Sequence, residues 1–368
     1  MAMPLPVLVT SLGLGDFRNH VLNRIEPGEA RLVLLVGANG AGKTNILEAL
    51  SLLSPGRGLR SARLSQIARA GGAGGFMVSA GLRPDPGLPD LEVRTFTTAE
   101  APERRRLTVN GAPAAIASLS QWQSLMWVTP AMDRLFAEAA AARRRFLDRL
   151  ALALHPDHAH HSARYEAAMR ARLRLLASEA SPDPAWLSAL EEQMAVHGAA
   201  VLDARRRTLL SLAEGLARRA DRSFPAPLLS LAGDAGDADW PARLKRARAV
   251  DAASGRTSDA PHRVDLAAVS QGNGLPAAEA STGEQKAMLL SILLAHAGEV
   301  AQTTGRVPLL LIDEAAAHLD SHRRHALLER LAALGGQAWL SGTDEQLFEG
   351  HGGLAFRVAS GRVERAGP

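Results

Sequence analysis

Hydrophobic and polar residues follow two different periods along this chain, and the change of period divides it into stretches. Short runs rich in apolar and β-branched residues predict strands at residues 7–9, 32–36, 76–80, 91–97 and 106–109. Asn110-Gly111, directly after the last of these runs, predicts a tight hairpin and therefore an antiparallel sheet. From about residue 131 to residue 220 apolar residues recur at helical spacing, which predicts a helical lobe.

The segments between these runs carry weaker patterns. Residues 7–36 are expected to form two strands around a turn, and residues 56–75, rich in Gly and Arg, an exposed arm. Residues 125–128 predict a short buried strand, and residues 221–280 a mixture of short strands and loops. Apolar heptads are not sustained over many turns, so a long coiled-coil arm is not expected.

Composition narrows the class of protein. At 368 residues the chain is long enough for two domains, or for one large domain with an inserted lobe. It has no cysteine, which excludes disulfides, thiolate catalysis and cysteine zinc sites. We expect neither a signal peptide nor a membrane span, and we expect a cytoplasmic location. The net charge is +4, and almost all of the positive charge is arginine. This balance permits nucleic-acid binding without requiring it.

A glycine-rich loop joins the apolar run 32–36 to a helical pattern that begins near residue 46. Its sequence matches G-x-x-x-x-G-K-[ST], the loop whose backbone N–H groups hold nucleotide phosphates at the start of a helix. Lys43 is expected to reach the β and γ phosphates, and Thr44 to place its hydroxyl on Mg²⁺. We therefore predict a site for ATP with Mg²⁺ formed by Gly37, Ala38, Asn39, Gly40, Ala41, Gly42, Lys43, Thr44 and Asn45.

A second half of this site follows the apolar run 307–312. Asp313 is expected to hold Mg²⁺, and Glu314 to act as the general base that activates water. Lys43, Asp313 and Glu314 are the predicted catalytic residues. Asp320 follows in a segment that resembles the D-loop of ATP-binding-cassette ATPases, in which the aspartate crosses to a second subunit.

Ser281-Thr282-Gly283-Glu284-Gln285 precedes a strongly helical pattern and resembles the signature motif of ATP-binding-cassette (ABC) ATPases. Ser281, Gly283 and Gln285 are predicted to contact a nucleotide phosphate, because a helix N-terminus attracts anions. An ordinary helix cap, with Ser281 at the cap and Glu284 three residues later, fits the same residues, and both descriptions can hold.

The order of these motifs and the compact insert between them resemble the RecF family. The resemblance covers essentially the whole chain and also rests on residues 13–19, 58–61, 143–148, 255–257 and 261–266. The chain departs from the family at Glu284 and in residues 128–133, and Ala315-Ala316-Ala317 replaces more polar residues. No Q-loop glutamine is identified, although Gln121 and Gln123 lie nearby. Ser341 and Thr343 stand where transporter cassettes carry a switch histidine.

The resemblance implies an α/β fold: an ABC-type ATPase head with a mixed sheet around the phosphate loop, an antiparallel β subdomain and an inserted helical lobe. The expected domains are residues 1–135 and 251–368 for the ATPase lobe and 136–250 for the insert. It also implies an ATP-dependent homodimer with RecR and RecO as partners, slow ATP hydrolysis, and a role in repair of DNA gaps and replication restart. Arg18 is implied to approach the phosphates, and Asn39 the γ-phosphate.

Arginine clusters are candidates for contacts with duplex or junction DNA, without sequence preference. Charge runs are more often solvated faces, but arginine beside a dimer cleft suits phosphate binding. The candidates are Arg57, Arg60, Arg63, Arg104, Arg105 and Arg106, with further runs at residues 143–145 and 205–207.

Other functions remain open at this point. A transporter or translation-factor cassette is disfavoured by the long separation of the motifs and by Ser341 and Thr343. A defence ATPase of the overcoming-lysogenisation type would normally carry a further nuclease domain. A third alternative is a dimerisation module that binds ATP without hydrolysing it, which a Glu314 substitution would distinguish.

Overall fold

The computed structural model describes residues 4–85, 87–178, 183–218, 223–233, 239–258, 261–272, 274–315, 317, 319–345 and 352–366. Within them the chain divides into two compact units. The first, here the sheet unit, comprises Met1–Arg134, Gly215–Ala226 and Ser281–Pro368. The second, here the helical unit, comprises Leu135–Glu214 and Pro227–Ala280.

The strands are numbered in chain order. They are β1 (Leu5–Pro6), β2 (Leu8–Phe17), β3 (His20–Ile25), β4 (Leu32–Val36), β5 (Met77–Arg83), β6 (Leu91–Thr98), β7 (Ala101–Val109), β8 (Ala112–Ala114), β9 (Leu125–Val128), β10 (Pro227–Ala232), β11 (Asp265–Ser270), β12 (Arg306–Val307), β13 (Leu309–Ile312), β14 (Ala338–Gly342), β15 (Leu354–Ala359) and β16 (Arg362–Arg365).

The helices are numbered in the same way. They are α1 (Lys43–Ser51), α2 (Ala140–Leu154), α3 (His158–Leu176), α4 (Pro184–Arg218), α5 (Trp240–Arg246), α6 (Arg248–Ser254), α7 (Thr282–Thr304) and α8 (Ser321–Leu334).

A six-stranded mixed sheet forms one layer of the sheet unit, in the order β16-β15-β4-β14-β13-β9. All neighbours pair in parallel except β15 and β16, which form an antiparallel hairpin at one edge. Strands β9 and β13 are buried along their full length, as expected for a sheet covered on both faces. The strand predicted at residues 125–128 is confirmed as β9.

A second, antiparallel sheet has the order β3-β2-β5-β6-β7-β8. The predicted hairpin is confirmed, because Asn110 and Gly111 have φ angles of 49° and 80° and join β7 to β8. The prediction of two strands in residues 7–36 was wrong: β2, β3 and β4 are three separate strands. Asp16 near the end of β2 and Arg18 in the turn to β3 both have a left-handed backbone. Neither residue is a glycine, so the sequence did not indicate these conformations.

Helix α1 supplies the contacts that bring the two sheets into one hydrophobic core. Ile46, Leu47 and Leu50 of this helix are fully buried and belong to the same core cluster as Leu12 of β2 and Trp339 of β14. The core therefore fixes the helix that begins at the glycine-rich loop.

Gln337 forms a polar link inside this core. Its Oε1 accepts hydrogen bonds from the Val9 N–H (2.9 Å) and the Trp339 indole N–H (3.0 Å). Its Nε2 donates to the carbonyl oxygens of Val9 (3.3 Å) and Ala30 (2.9 Å). The amide is fully buried and uses both of its ends, so it holds β2 beside β14 without leaving an unsatisfied polar group.

The arm predicted at residues 56–75 is only partly exposed. The Ile67 side chain is fully buried, and its carbonyl accepts the Arg18 N–H at 2.8 Å. Arg69 pairs with Asp16 at 2.7 Å. The backbone N–H groups of Leu64 and Ser65 donate to the Glu103 carboxylate of β7, each at 3.2 Å. These contacts tie the segment to β2 and β7.

The helical unit is organised around a buried ion network. Arg172 of α3 is fully buried and donates to Glu191 of α4 at 2.9 Å and to Asp251 of α6 at 2.6 Å. Arg248 donates to the same Glu191 carboxylate at 2.5 Å. The unit continues past the expected boundary at residue 250 as far as Ala280, because β11 pairs with β10 along six residues.

His262 and Tyr165 form a hydrogen bond inside the helical unit, with 2.7 Å between Tyr165 Oη and His262 Nδ1. Burial, together with the charges of Arg263 and Arg144, lowers the pKa of His262 to about 4. In the unfolded chain this imidazole titrates near 6.5, so the unfolded state binds more protons between about pH 6.5 and 4. Stability contributed by His262 is therefore lost as the pH falls through that window.

We expect His262→Gln to remove this part of the pH dependence. Between about pH 7 and pH 5 the wild-type protein should lose about 2 kcal/mol of unfolding free energy through His262, and the variant should not. Urea unfolding followed by circular dichroism at both pH values measures the difference. Identical pH dependence in the two proteins would contradict the assignment.

Among the described helices, none combines the length and the apolar character needed to cross a membrane.

Candidate nucleotide site

The predicted motifs meet where three neighbouring strands of the mixed sheet end. The glycine-rich loop follows β4, and Asp313 and Glu314 follow β13. Strand β14 lies between β4 and β13 and carries Ser341 near its end. Because these strands are parallel, their carboxyl ends share one edge of the sheet, where α/β folds bind ligands.

The glycine-rich loop is shaped by two glycines that cannot be replaced without strain. Gly42 has a φ of 117°, and a Cβ there would lie 2.8 Å from the Asn19 amide. A Cβ on Gly37 would lie 2.1 Å from the Val358 carbonyl oxygen. In the described part of the chain no side chain caps the N-terminus of α1, whereas Ser281 and Asp320 cap α7 and α8. The first N–H groups of α1 are thus available to an anion.

Two neighbouring hairpins hold this loop in place. Asn19 Nδ2 donates to the Ala41 carbonyl at 3.0 Å, and the Gly361 N–H donates to the same oxygen at 3.1 Å. The fully buried His20 places Nε2 3.3 Å from the Gly42 carbonyl. Burial lowers the pKa of His20, which favours the neutral ring. The sequence did not predict this support, because Asn19, His20 and Gly361 lie outside the nucleotide-binding motifs.

Lys43 lies over the glycine-rich loop. Its Nζ donates to the carbonyl oxygens of Gly37 (2.5 Å) and Ala38 (2.9 Å). Burial lowers the pKa of this lysine, while the charges of Asp313 and Glu314 act in the opposite direction. The two carbonyl contacts hold the ammonium group against the loop. Asn39, in the same loop, is exposed.

Thr44 and Asp313 are brought together as a set of hard oxygen donors. Thr44 Oγ1 lies 2.9 Å and 3.0 Å from the two carboxylate oxygens of Asp313. Ser341, fully buried, donates its hydroxyl to Asp313 Oδ1 at 2.6 Å. A hydroxyl and a carboxylate are oxygen ligands of the kind Mg²⁺ prefers when substrate phosphates and water complete its shell, so these residues fit the ion.

Glu314 has a left-handed backbone, with a φ of 49°. Such a conformation costs a residue with a side chain roughly 1–2 kcal/mol and persists where surrounding contacts impose it. Its N–H donates to Ser341 Oγ at 2.8 Å, and its carbonyl accepts from Lys286 Nζ at 3.2 Å. Ser341 drew attention in the sequence only as a replacement for a switch histidine. The sequence did not indicate its contact with Glu314.

Arg18 is engaged by Glu48 rather than by the loop itself. Its guanidinium donates to both carboxylate oxygens of the fully buried Glu48, at 2.8 Å and 2.6 Å. Arg60 donates to Glu48 at 2.9 Å and to Asn45 Oδ1 at 2.7 Å. Asn45 in turn donates to Asn19 at 2.7 Å. A phosphate contact by Arg18 stays a prediction.

The two candidate Q-loop glutamines differ in burial. Gln123 is buried, and its amide donates to the Leu53 carbonyl just beyond α1 at 2.6 Å. Gln121 is exposed.

The signature residues form a complete helix cap. Ser281 Oγ donates to Glu284 Oε2 at 2.7 Å, and the Ser281 N–H donates to the same oxygen at 2.9 Å. Ser281 is exposed, Gly283 is partly exposed and Gln285 is buried. Asp320 is also exposed and accepts the Arg323 N–H at 2.7 Å. The ordinary cap is thus present, and both cap residues face outward, where a partner could reach them.

The arginines predicted to bind DNA fall into three environments. Arg57 and Arg63 are exposed on the segment tied to β7, and Arg60 contacts Asn45 and Glu48 as described. Arg104 and Arg106 are exposed and alternate along β7 with Arg105. Arg105 instead donates to the carbonyl oxygens of Ser54 and Gly56, both at 3.0 Å, and burial lowers its pKa to about 10.

One arginine from each of the two further runs forms an ion pair inside the helical unit. Arg143 pairs with Asp265, at 2.5 Å, and Arg205 donates to both carboxylate oxygens of Asp148 at 2.8 Å. Burial raises the pKa of Asp148, but His158 and Arg205 outweigh it and lower the pKa to about 2. Arg143 and Arg205 therefore stabilise contacts within the helical unit.

Comparison with known proteins adds sequence relatives over the full length. The family described as RecF/RecN/SMC N terminal domain matches residues 8–351. The chain is 45% identical over 375 residues to the DNA replication and repair protein RecF of Rhizobium meliloti (strain 1021), covering 98% of this chain and 100% of that protein. It is 44% identical over 362 residues to the protein of the same name from Mesorhizobium japonicum, covering 94% of each.

Solved structures share the fold. A structure of the recombination mediator protein RecF-ATPrS in the RecFOR pathway superposes with a TM-score of 0.85 at 21% identity, covering 100% of both chains. A Smc head domain from Pyrococcus furiosus superposes with a TM-score of 0.56 at 15% identity, covering 98% of this chain and 96% of that one. At these identities the likeness establishes the mixed α/β fold of an ABC-type ATPase head.

Proposed function

Since this chain belongs to the RecF family of DNA replication and repair proteins, we propose that it is an ATP-gated DNA-binding protein acting in recombinational repair of DNA gaps and in replication restart. RecR and RecO are its proposed partners, as the RecFOR pathway of the related solved structure suggests. A protein that repairs bacterial DNA works in the cytoplasm, which is the location we assign.

The observation that carries the proposal is the meeting of four groups at the ends of β4, β14 and β13. They are the uncapped N-terminus of α1, the Lys43 ammonium, the Thr44 hydroxyl and the Asp313 carboxylate. Backbone N–H groups and Lys43 would hold the phosphates of ATP. Thr44 and Asp313 would hold Mg²⁺, which supplies charge neutralisation at the β and γ phosphates.

Glu314 is the proposed general base. Glu314 directly follows Asp313, the proposed magnesium ligand, and the Ser341 hydroxyl accepts the Glu314 N–H while it donates to Asp313, which supports this role. A base so placed takes a proton from the water that attacks the γ-phosphorus. We propose slow hydrolysis, so that ATP acts as a timer for the bound state.

The exposure of Ser281 and Asp320 supports the proposed dimerisation. Ser281 and Asp320 stand at the outward-facing N-termini of α7 and α8. In a pair of subunits arranged head to tail, Ser281 of one subunit would meet the γ-phosphate held by the other. Nucleotide that contacts both subunits only in the closed pair shifts the population toward the dimer.

DNA binding is assigned to the exposed arginines of the sheet unit. Arg57 and Arg63 lie in the segment that Arg60 connects to Asn45 and Glu48, so this segment adjoins the helix of the phosphate loop. Arg104 and Arg106 add exposed charge on β7. Arginine contacts with phosphates give sequence-independent, salt-sensitive affinity.

Charge reversal should weaken DNA binding at both places. We expect Arg57→Glu/Arg63→Glu and Arg104→Glu/Arg106→Glu each to reduce affinity for a duplex about tenfold or more in the presence of ATP. Each should also lower the slope of log K against log salt by about 2. Fluorescence anisotropy with a labelled duplex, at several salt concentrations and with and without ATP, measures both quantities.

The matched control is Arg24→Glu/Arg362→Glu. Both arginines are exposed in the sheet unit, and the charge change is the same, but they lie on β3 and β16. We expect this variant to bind within about threefold of wild type. An equal loss of DNA affinity in the control and the test variants would show that net charge alone causes the effect. DNA affinity that is the same with and without ATP would contradict the proposed gating.

A further inference from the structure

The contacts around Glu314 point to a role for Lys286, a residue outside the phosphate loop and the strand-end carboxylates. We propose that Lys286 is a positioning residue for Glu314 and that it transmits the state of the signature helix α7 to the general base of the same subunit. The inference rests on the proposed function, since it assumes that Glu314 activates water and that Ser281 contacts the partner's nucleotide.

The backbone of Glu314 is held from both sides. Ser341 Oγ accepts its N–H at 2.8 Å, and Lys286 Nζ donates to its carbonyl at 3.2 Å. A left-handed φ of 49° on a residue with a side chain is kept only when such contacts over-determine it. A change in either contact would let the backbone relax to an ordinary conformation and turn the carboxylate away from its place.

Lys286 is an unusual residue to find in this position. The chain contains three lysines, and the Lys286 side chain is only 1% exposed. Its nearest carboxylate is Asp133, which follows β9 and lies 3.4 Å away. Burial lowers the pKa of Lys286, while Asp133, Glu314 and Asp313 favour its charged form. A buried ammonium with one direct carboxylate partner and one backbone acceptor is stabilised in a single geometry.

The position of Lys286 on α7 supplies the link between two nucleotide sites. Ser281 caps this helix, and Lys286 follows five residues later, inside its first two turns. In the proposed dimer Ser281 meets the nucleotide of the partner, whereas Glu314 serves the nucleotide of its own subunit. Movement of the first turns of α7 on engagement would reach Glu314 through Lys286, so the two sites would hydrolyse ATP cooperatively.

Removing Lys286 alone would take away the ammonium group beside the buried Asp133 carboxylate, so the test uses a pair of variants. Asp133→Asn keeps Lys286 and its bond to the Glu314 carbonyl. Lys286→Met/Asp133→Asn removes both charges and that bond. The comparison between the two variants isolates the contact with Glu314, because the carboxylate is absent from both.

We expect Lys286→Met/Asp133→Asn to lower kcat for ATP at least tenfold relative to Asp133→Asn, with KM and the ATP dissociation constant within about threefold. The Hill coefficient for ATP should fall from above 1 in Asp133→Asn to near 1 in the double variant. Steady-state hydrolysis and equilibrium binding of a fluorescent ATP analogue measure these values, and circular dichroism confirms that both variants fold.

Three outcomes overturn the inference: equal kcat in the two variants, a loss confined to KM, or an unchanged Hill coefficient. Glu314→Gln, assayed in parallel, separates this failure from failure of the proposed function. If Glu314→Gln abolishes hydrolysis while the two Asp133 variants behave alike, only the role of Lys286 is wrong. If Glu314→Gln hydrolyses ATP at the wild-type rate, the proposed function itself is contradicted.

Discussion

Replacing Glu314 by glutamine is expected to slow ATP hydrolysis by about 10²–10⁴-fold, the usual contribution of a positioned general base. Glutamine has nearly the same shape, so the left-handed backbone and its bonds to Ser341 and Lys286 should survive. Binding of ATP should therefore remain within a few-fold of wild type. The measurement is phosphate release under single-turnover conditions, together with equilibrium ATP binding.

Glu314→Gln should accumulate as the ATP-bound dimer. Because hydrolysis ends the closed state, a protein that binds ATP but cannot hydrolyse it stays closed, and its complex with duplex DNA should outlast the wild-type complex when ATP is present. Glu364→Gln is the matched control, since Glu364 is an exposed glutamate on β16 of the same unit. If neither the wild-type protein nor Glu314→Gln releases phosphate, and the two proteins bind ATP and dimerise alike, the alternative of an ATP-binding module without hydrolysis is favoured.

The motifs of the site could be predicted because each is local. The glycine-rich loop, the carboxylates after β13 and the cap of α7 each lie within a few consecutive residues, and strand–loop–helix context supports them. Parallel pairing of β4, β14 and β13 then brings the glycine-rich loop and the carboxylates to one edge of the sheet. The strand order alone explains why these two motifs meet. The family resemblance anticipated the α/β head and the helical insert.

The supporting contacts could not be predicted, because they join residues far apart in sequence. Ser341 and Asp313 are separated by 28 positions, as are Lys286 and Glu314. His20 supports the phosphate loop together with Gly361, 341 positions away. No local pattern marks such pairs, since each depends on which strands and hairpins become neighbours.

Charge patterns were the least informative part of the sequence. Arg104, Arg105 and Arg106 look alike in a run of three, but β-strand alternation leaves the first and third exposed and directs Arg105 to the carbonyls beyond α1. Arg143 and Arg205 likewise form ion pairs inside the helical unit. An arginine run thus predicts a positive region but not which of its members is available to a ligand.

The central claim is that two copies of the chain share each ATP, with the phosphate loop from one and Ser281 from the other. Lys43→Ala should abolish ATP binding through the phosphate loop, and Ser281→Arg should block the signature surface by its size and charge. Each variant alone is expected to lose ATP-dependent dimerisation and more than about 95% of hydrolysis, because both sites of its homodimer are broken.

Mixing the two inactive variants tests the claim most directly. A mixed dimer contains one intact site, formed by Lys43 of the Ser281→Arg subunit and Ser281 of the Lys43→Ala subunit. With random pairing half of the dimers are mixed and each keeps one of its two sites, so an equimolar mixture should recover at most about a quarter of the wild-type hydrolysis rate, and less than that where coupling through Lys286 requires both sites. A mixture of Lys43→Ala with Asp313→Ala, whose defects lie in the same half of the site, should recover none. Recovery in the first mixture alone is the predicted result, and no recovery in either mixture would contradict the shared site.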